Sequence, residues 1–359
     1  MGMSEPGNNK RWLRRRWPLV LTLGLLLGLF GGALALMFSA ENLSKADLEQ
    51  RLRELPKNQA LGELARRTLT ADLGAGPLEY DLVYHFAGAR NQSAPKARPV
   101  VLVHGTPSTL FSWTELICGA PESEGRPAFA GLSETRDVYA IEVLGHGIAP
   151  DTASPVTFEL CARFVAAAIR ALGLEDVHLV GSSYGGEFVW RAALNAPELI
   201  ATVSLLDSSG ITRRDADWLS EEVAMRENPL ASLGWLLNSR ARIEVALAPH
   251  FRTIPPDRVE EFYLVCANRQ NWSAMVDLAR DENGEREGEL SDLELPTLLL
   301  WGQEDVAYLP DHYAERFAEE LPSAELVLLP ETGHYPHEER PGATSERLER
   351  FFTEQESVR

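Results

Sequence analysis

A mostly parallel β-sheet covered by helices on both faces, an α/β class, is the fold this sequence predicts. Three observations carry that expectation. Short, almost wholly apolar runs such as Val100-Val101-Leu102-Val103 and Thr297-Leu298-Leu299-Leu300-Trp301 have the composition of strands buried on both faces. They alternate along the chain with stretches of helical periodicity, as a parallel sheet with crossover helices requires. One of them, His178-Leu179-Val180, runs into Gly181-Ser182-Ser183-Tyr184-Gly185-Gly186 and on into the helix-like Glu187 to Leu194.

Taken in order, the chain opens with a basic segment, residues 1–17. Lys10, Arg11, Arg14, Arg15 and Arg16 stand against Glu5 alone, a net +4 that leaves about −23 on the remainder of a chain of net charge −19. So acidic a body excludes nucleic acid as a partner and disfavours polyanionic substrates. Residues 18–38, PLVLTLGLLLGLFGGALALMF, hold no charge. As a helix they reach about 30 Å, the thickness of a bilayer core, and read as a transmembrane signal-anchor helix. The arginines before it belong on the cytoplasmic side, which places the rest of the chain in the periplasm or outside the cell. The alternative is export after cleavage near Ala33-Leu34-Ala35. Residues 39–77, charged and rich in Ala and Leu from Ser44 to Leu73, read as a helical spacer between membrane and body.

The body is expected to comprise residues 78–209 and 293–355. Tyr80 to Phe86 alternates like a half-exposed strand, and Pro99 to His104 and Asp137 to Val143 are buried strands. Thr157 to Leu172 is a helix with Thr157 as its cap and Gly173 as its stop. Leu199 to Leu206, Thr297 to Trp301 and Ala324 to Leu329 are further strands, with helices around Asp311 to Leu321 and Ala343 to Phe352. Between residues 210 and 292 no strand pattern is found. So long a segment cannot be a structureless loop and is expected to form a helical cap, its aromatics packing the cap onto itself or the sheet. Asp281 to Glu287 reads as a solvated loop. An apolar fraction of 45% against 24% charged residues excludes a disordered chain. Cys118, Cys161 and Cys266 have no metal-like spacing and allow at most one disulfide.

The chemistry lies at the ends of the buried strands. Glycines two before and two after Ser183 let the chain turn sharply from strand to helix and leave that hydroxyl at the apex. The following helix N-terminus offers free N–H groups to developing negative charge. A serine hydroxyl needs a base, and the base needs an orienting carboxylate. Gly302-Gln303-Glu304-Asp305 places an acid after one strand, and Gly333-His334-Tyr335-Pro336 places a histidine after the next.

With His104-Gly105-Thr106-Pro107, Gly145-His146-Gly147, the Ser183 turn, and Gly333-His334 followed by Glu339 and Pro341, the chain resembles the α/β-hydrolase superfamily over about residues 78–355. It looks like the capped branch that includes epoxide hydrolases, haloalkane dehalogenases, cofactor-free haloperoxidases, C–C bond hydrolases and esterases. The resemblance implies an α/β-hydrolase fold with the cap inserted before the penultimate strand. It also implies a catalytic triad of Ser183, His334 and Asp305, in the order Ser, Asp, His along the chain. The oxyanion hole would use the backbone N–H groups of Thr106 and Tyr184. Epoxide hydrolases and dehalogenases carry aspartate at the turn, so Ser183 points instead to acyl chemistry. Two departures stand out: Glu142 occupies a place usually held by aspartate, and Pro310 comes one residue late. Asp207, after the strand Leu199 to Leu206, is the place of the acid in some relatives.

Three functions are consistent with these residues. The first is a membrane-bound serine hydrolase cleaving an ester or related acyl bond of a small to medium apolar substrate. The second is a C–C bond hydrolase or haloperoxidase on the same triad, and the third a non-catalytic binding protein of the same fold. No motif calls for a cofactor or a metal, and nothing in the sequence fixes the oligomeric state.

Overall fold

A computed structural model describes residue 32 and residues 40–357, apart from 75, 92–96, 123–126 and 153–154. The expected basic segment 1–17 and the apolar run 18–38 lie outside the described residues, Gly32 excepted. Among the described residues no helix is long and apolar enough to cross a membrane. The chain divides into Met1–Glu41 and a body, Asn42–Arg359.

The strands of the body are β1 (Ala65–Asp72), β2 (Pro77–Ala87), β3 (Val100–Val103), β4 (Gly119–Ala120), β5 (Phe129–Ala130), β6 (Val138–Ile141), β7 (Val177–Ser182), β8 (Ile200–Leu206), β9 (Thr297–Gly302) and β10 (Ala324–Leu329). β4 and β5 pair only with each other. The other eight form one sheet in the order β1-β2-β6-β3-β7-β8-β9-β10. β1 and β2 are antiparallel to their neighbours, and every pair from β6 to β10 is parallel.

The apolar runs are strands because both of their faces are covered. Successive side chains of a strand point to opposite faces, and here they enter two separate cores. Val101, Val103, Leu205, Leu299 and Trp301 pack on one side with α3 (Phe158–Leu172) and α4 (Tyr184–Asn195). Val100, Leu102, Leu206, Leu298 and Leu300 pack on the other with α1 (Lys45–Glu54), α2 (Thr114–Cys118) and α11 (Pro341–Ser357). α3 begins and ends where its sequence says. The Thr157 side chain accepts from the Leu160 N–H, and Gly173 stops the helix in a left-handed conformation.

Residues 39–77 are not a spacer. α1 buries Leu48 and Leu52 completely in the second core, and residues 65–72 are a strand, not a helix. The reason lies in Asp72-Leu73-Gly74-Ala75-Gly76. Asp72 Oδ1 accepts from the N–H groups of Gly74 and Gly76, closing a turn that pairs β1 with β2 from Asp72↔Pro77 to Ala65↔Tyr84. Local Ala and Leu content favours a helix, but the hairpin partner decides. The body starts against its own cap: the Leu43 N–H donates to the Ala267 carbonyl, and Asn268 Nδ2 to the Leu43 carbonyl.

Between β8 and β9 the chain is helical, as expected: α5 (Ser220–Glu227), α6 (Arg240–Leu247), α7 (Arg258–Cys266) and α8 (Arg269–Asp281), with short 3₁₀ turns and no strand. Most of its aromatics hold the cap together. Trp272 Nε1 donates to the Ala231 carbonyl at 2.8 Å, and Trp218 lies between Arg213 and Arg226. Phe251 stacks on Tyr335, beside His334. Asp281 to Glu287 is not a solvated loop throughout, since Glu282 and Glu287 are buried. After β9 come α9 (Tyr313–Glu320), then β10, α10 (Pro336–Glu339) and α11.

Candidate active site

Ser183 sits between the last residue of β7 and the first of α4, at φ 56° and ψ −127°. That is a conformation a residue with a side chain adopts only when its surroundings impose it. The surroundings do so through close backbone contacts. A Cβ on Gly185 would stand 2.4 Å from the His104 carbonyl oxygen, and one on Gly181 would stand 2.3 Å from the Gly185 carbonyl oxygen. The turn is therefore wedged between β7 and the end of β3. The Ser183 N–H donates to the Leu206 carbonyl at 2.9 Å, and its own carbonyl accepts from Gly186.

His334, after β10, places Nε2 at 3.0 Å from Ser183 Oγ and Nδ1 at 2.9 Å from Asp305 Oδ2. Its backbone N–H donates to the His250 carbonyl at 2.8 Å, and the preceding Gly333 N–H to Glu339 Oε1. Asp305 Oδ1 accepts from the Ala307 N–H at 2.8 Å. Burial pushes the Asp305 carboxyl up, but the His334 charge and the hydrogen bonds around it prevail and hold it below the usual range. The fold thus brings together Ser183, His334 and Asp305, all buried.

Asp207 lies at the end of β8 and does not bond His334; its Oδ1 accepts from the Gly302 N–H at 2.9 Å. Burial and then the Asp305 charge push its carboxyl well above the usual range. Asp207, Asp305 and His334 each place a ligand-type atom within 4.8 Å of the others, the one such grouping among the described residues. The His334–Asp305 hydrogen bond already uses two of these groups.

Thr106 and Tyr184 are both anchored through their side chains. Thr106 Oγ1 bonds His146 Nε2, and Tyr184 donates from its hydroxyl to Glu282 Oε2 at 2.7 Å. A Cβ on Gly105 would stand 2.9 Å from the Ser183 Cβ, so the peptide leading to Thr106 passes beside the serine.

Three supports of the site carry no signal in the sequence. His250, from the cap, holds the His334 backbone through its carbonyl and brings its ring 5.7 Å from the His334 ring. Glu282 joins the cap to the segments after Ser183 and Asp305, accepting from Tyr184 and, at 2.9 Å, from Tyr308, whose ring is 5.5 Å from that of His334. Arg213 pairs with Glu222 and lies 3.8 Å from Glu282. A surface groove of about 790 Å³ lined by Arg67, Arg163 and Arg170 includes none of these residues.

Glu142, where an aspartate was the commoner residue, spans two loops. Its Oε2 accepts from the Leu110 N–H at 3.0 Å and its Oε1 from the Ile148 N–H at 3.2 Å. Burial pushes its carboxyl from an ordinary 4.5 up to about 8, against those two N–H groups. A raised folded value means that folding favours the protonated form. The stabilisation is complete below about pH 4.5 and is lost as pH rises through about 8. Glu187, raised to about 7, acts with the same sign. Relative to Glu142→Gln, the wild type is therefore expected to lose stability between pH 5 and 9, the variant being about 1 kcal/mol the less stable at pH 5, where one N–H acceptor is lost. A pH series of melting curves on both proteins checks this, and a difference between them that stays constant with pH rejects it.

The chain is 28% identical over 261 residues to the uncharacterised hydrolase YugF of Bacillus subtilis (strain 168), covering 72% of this chain and 91% of that one. It is 27% identical over 275 residues to the 2-hydroxymuconate semialdehyde hydrolase of Pseudomonas putida, covering 72% and 89%. Its fold is similar to the crystal structure of a bacterial membrane phospholipase A, at a TM-score of 0.66 and 24% identity over 94% of this chain and 99% of that one. The sequence profile of the alpha/beta hydrolase family matches residues 100–347. The chain belongs to that family and is a hydrolase.

Proposed function

We propose that the chain is a serine hydrolase that cleaves a carboxylic ester, or a related acyl bond, of a small to medium apolar substrate. The observation that carries this reading is the run of hydrogen bonds from Ser183 Oγ to His334 Nε2 and from His334 Nδ1 to Asp305 Oδ2. Ser183 Oγ attacks the acyl carbon while His334 Nε2 takes its proton. The carbonyl oxygen becomes an oxyanion against the N–H groups of Thr106 and Tyr184, and Asp305 balances the imidazolium. His334 then protonates the leaving alcohol, leaving an acyl group on Ser183. Water, deprotonated by His334, repeats the sequence and frees the acid. A second reading, C–C bond cleavage, draws on the likeness to the semialdehyde hydrolase and uses the same three residues.

Chromogenic esters of rising acyl length, assayed beside a vinylogous diketone on the full-length protein and on Ser183→Ala, test this. Ester turnover that vanishes with the serine supports the first reading. Turnover of the diketone alone supports the second, and neither activity removes both.

The basic segment and the uncharged run 18–38 support anchoring of the protein in a membrane, with the body outside the cytoplasm. A reporter enzyme that works only outside the cytoplasm, fused after Arg359, is expected to be active and to sediment with membranes. An inactive fusion rejects this orientation, and an active but soluble one indicates cleavage near Ala35.

A further inference from the structure

The carboxyl group of Asp207 has an environment that the proposed mechanism does not use. It is fully buried, on a residue held at φ 46° at the end of β8. One of its oxygens takes the Gly302 N–H, and among the described residues the other, Oδ2, has no hydrogen-bond partner. Yet a second carboxyl group, that of Asp305, lies within 4.8 Å. Two ionised carboxylates can only accept hydrogen bonds, so side by side in a dry site they repel and leave an acceptor empty. A single proton between them removes both difficulties. Asp305 is the one to stay ionised, since it faces His334 Nδ1 and the Ala307 N–H, whereas Asp207 faces one neutral donor.

The other ionisable groups do not alter this assignment. Those that face Asp207 are Asp305 from the loop after β9, and His334 and Glu339 from the segment after β10. Behind His334 stands the cap residue His250, whose ring burial and then the His334 charge push down to about 4. Of the groups named, His334 is the one placed to offer a positive charge, and it is bonded to Asp305. Burial and the neighbouring Asp305 charge accordingly push the Asp207 carboxyl up, while Asp305 is held low.

We propose that Asp207 is a positioning residue that acts through Asp305: it stays protonated and turns its O–H to Asp305, fixing that carboxylate against His334 Nδ1. The two acids then present one negative charge, not two, to the imidazolium that forms when His334 takes the Ser183 proton. A second charge would hold that proton on His334 too firmly for its return to the leaving group.

This rests on the serine-hydrolase reading, and its test reads His334 in two ways. The acidic limb of kcat/KM on an ester reports the ionisation of His334 in the working enzyme. The titration of the His334 ring, followed by NMR in full-length protein with labelled histidine, reports it without substrate. In Asp207→Asn the side chain is neutral like the acid, and its amide can donate to Asp305. Its limb and titration are expected to stay within about 0.3 pH units of the wild type. In Asp207→Ala the donor is lost, Asp305 becomes more basic, and both values rise while kcat falls about tenfold, one lost hydrogen bond near the reacting groups. A purely structural residue would change stability without this split between the two variants.

A downward shift of about one unit or more in Asp207→Asn is the signature of removing a negative charge next to His334, and it overturns the proposal. So does an alanine variant that folds and keeps the wild-type limb and turnover. Should the alanine variant not fold, the asparagine variant alone decides by the direction of its shift. If the wild type turns over no ester, the serine-hydrolase reading fails, and the His334 titration in wild type and Asp207→Asn still decides whether Asp207 is protonated.

Discussion

Ser183→Ala is expected to abolish hydrolysis almost completely, by about 10⁶ in kcat, the scale seen when a serine nucleophile that works as part of a triad is removed. The expectation follows from geometry. Ser183 Oγ is the group at hydrogen-bond distance from His334 Nε2, and the turn that presents it packs against backbone at Gly181 and Gly185. Water could replace the missing hydroxyl only poorly, because an oxygen lost from Cβ is no longer held at hydrogen-bond distance from His334 Nε2. His334→Ala should lose a similar factor, since without the imidazole nothing takes the serine proton. The double variant should be scarcely worse than either single one, because the residues act as a unit. Folding should be nearly unaffected, as alanine at 183 leaves the backbone contacts in place. The check is ester turnover in the two single variants and the double, with melting curves beside them. Retention of more than about one hundredth of wild-type turnover in Ser183→Ala would mean that another group attacks the substrate.

The parts of this site that could be read from the sequence are those whose signal is local. The strained turn at Ser183 needs small residues at Gly181 and Gly185, and both are written in the chain because a Cβ at either would meet backbone within 2.4 Å. His334 and Asp305 each follow a strand whose apolar run marks its end at the top of the sheet. The cap could be read as helical because 210–292 shows no strand pattern.

What the sequence left unread depends on partners distant in the chain. The stretch 65–72 has the composition of a helix, and only pairing with β2 makes it a strand. Glu282, in a run of charged residues that looks solvated, is buried because Tyr184 and Tyr308 converge on it from two other elements. His250 serves through a backbone carbonyl, which no residue type announces. Glu142 in place of an aspartate looked like a departure from pattern, and the longer side chain reaches two loops at once. Asp305 and Asp207 look alike in the sequence, because each is an acid following a buried strand. The distances to His334 separate them.

Asp305→Asn is expected to lower kcat by about 10⁴ while the protein still folds, the loss an orienting carboxylate causes in serine proteases. Asp305 Oδ2 accepts the proton on His334 Nδ1, which leaves Nε2 free to take the one from Ser183. An asparagine can turn its NH₂ to Nδ1 and donate there. The ring proton then moves to Nε2, where it points at Ser183 and the imidazole can no longer act as base. The fall should be smaller than that of Ser183→Ala, because the nucleophile and the N–H groups for the oxyanion remain. Adding Asp305→Asn to Ser183→Ala should therefore cost little more. Asp207→Asn makes the contrast, with a loss of no more than a few-fold, since Asp207 reaches Gly302 and not His334. Near-normal turnover in Asp305→Asn beside collapse in Asp207→Asn would reverse the assignment of the acid. Collapse in both, with both proteins folded, would mean that the one negative charge behind His334 depends on the two carboxyl groups together.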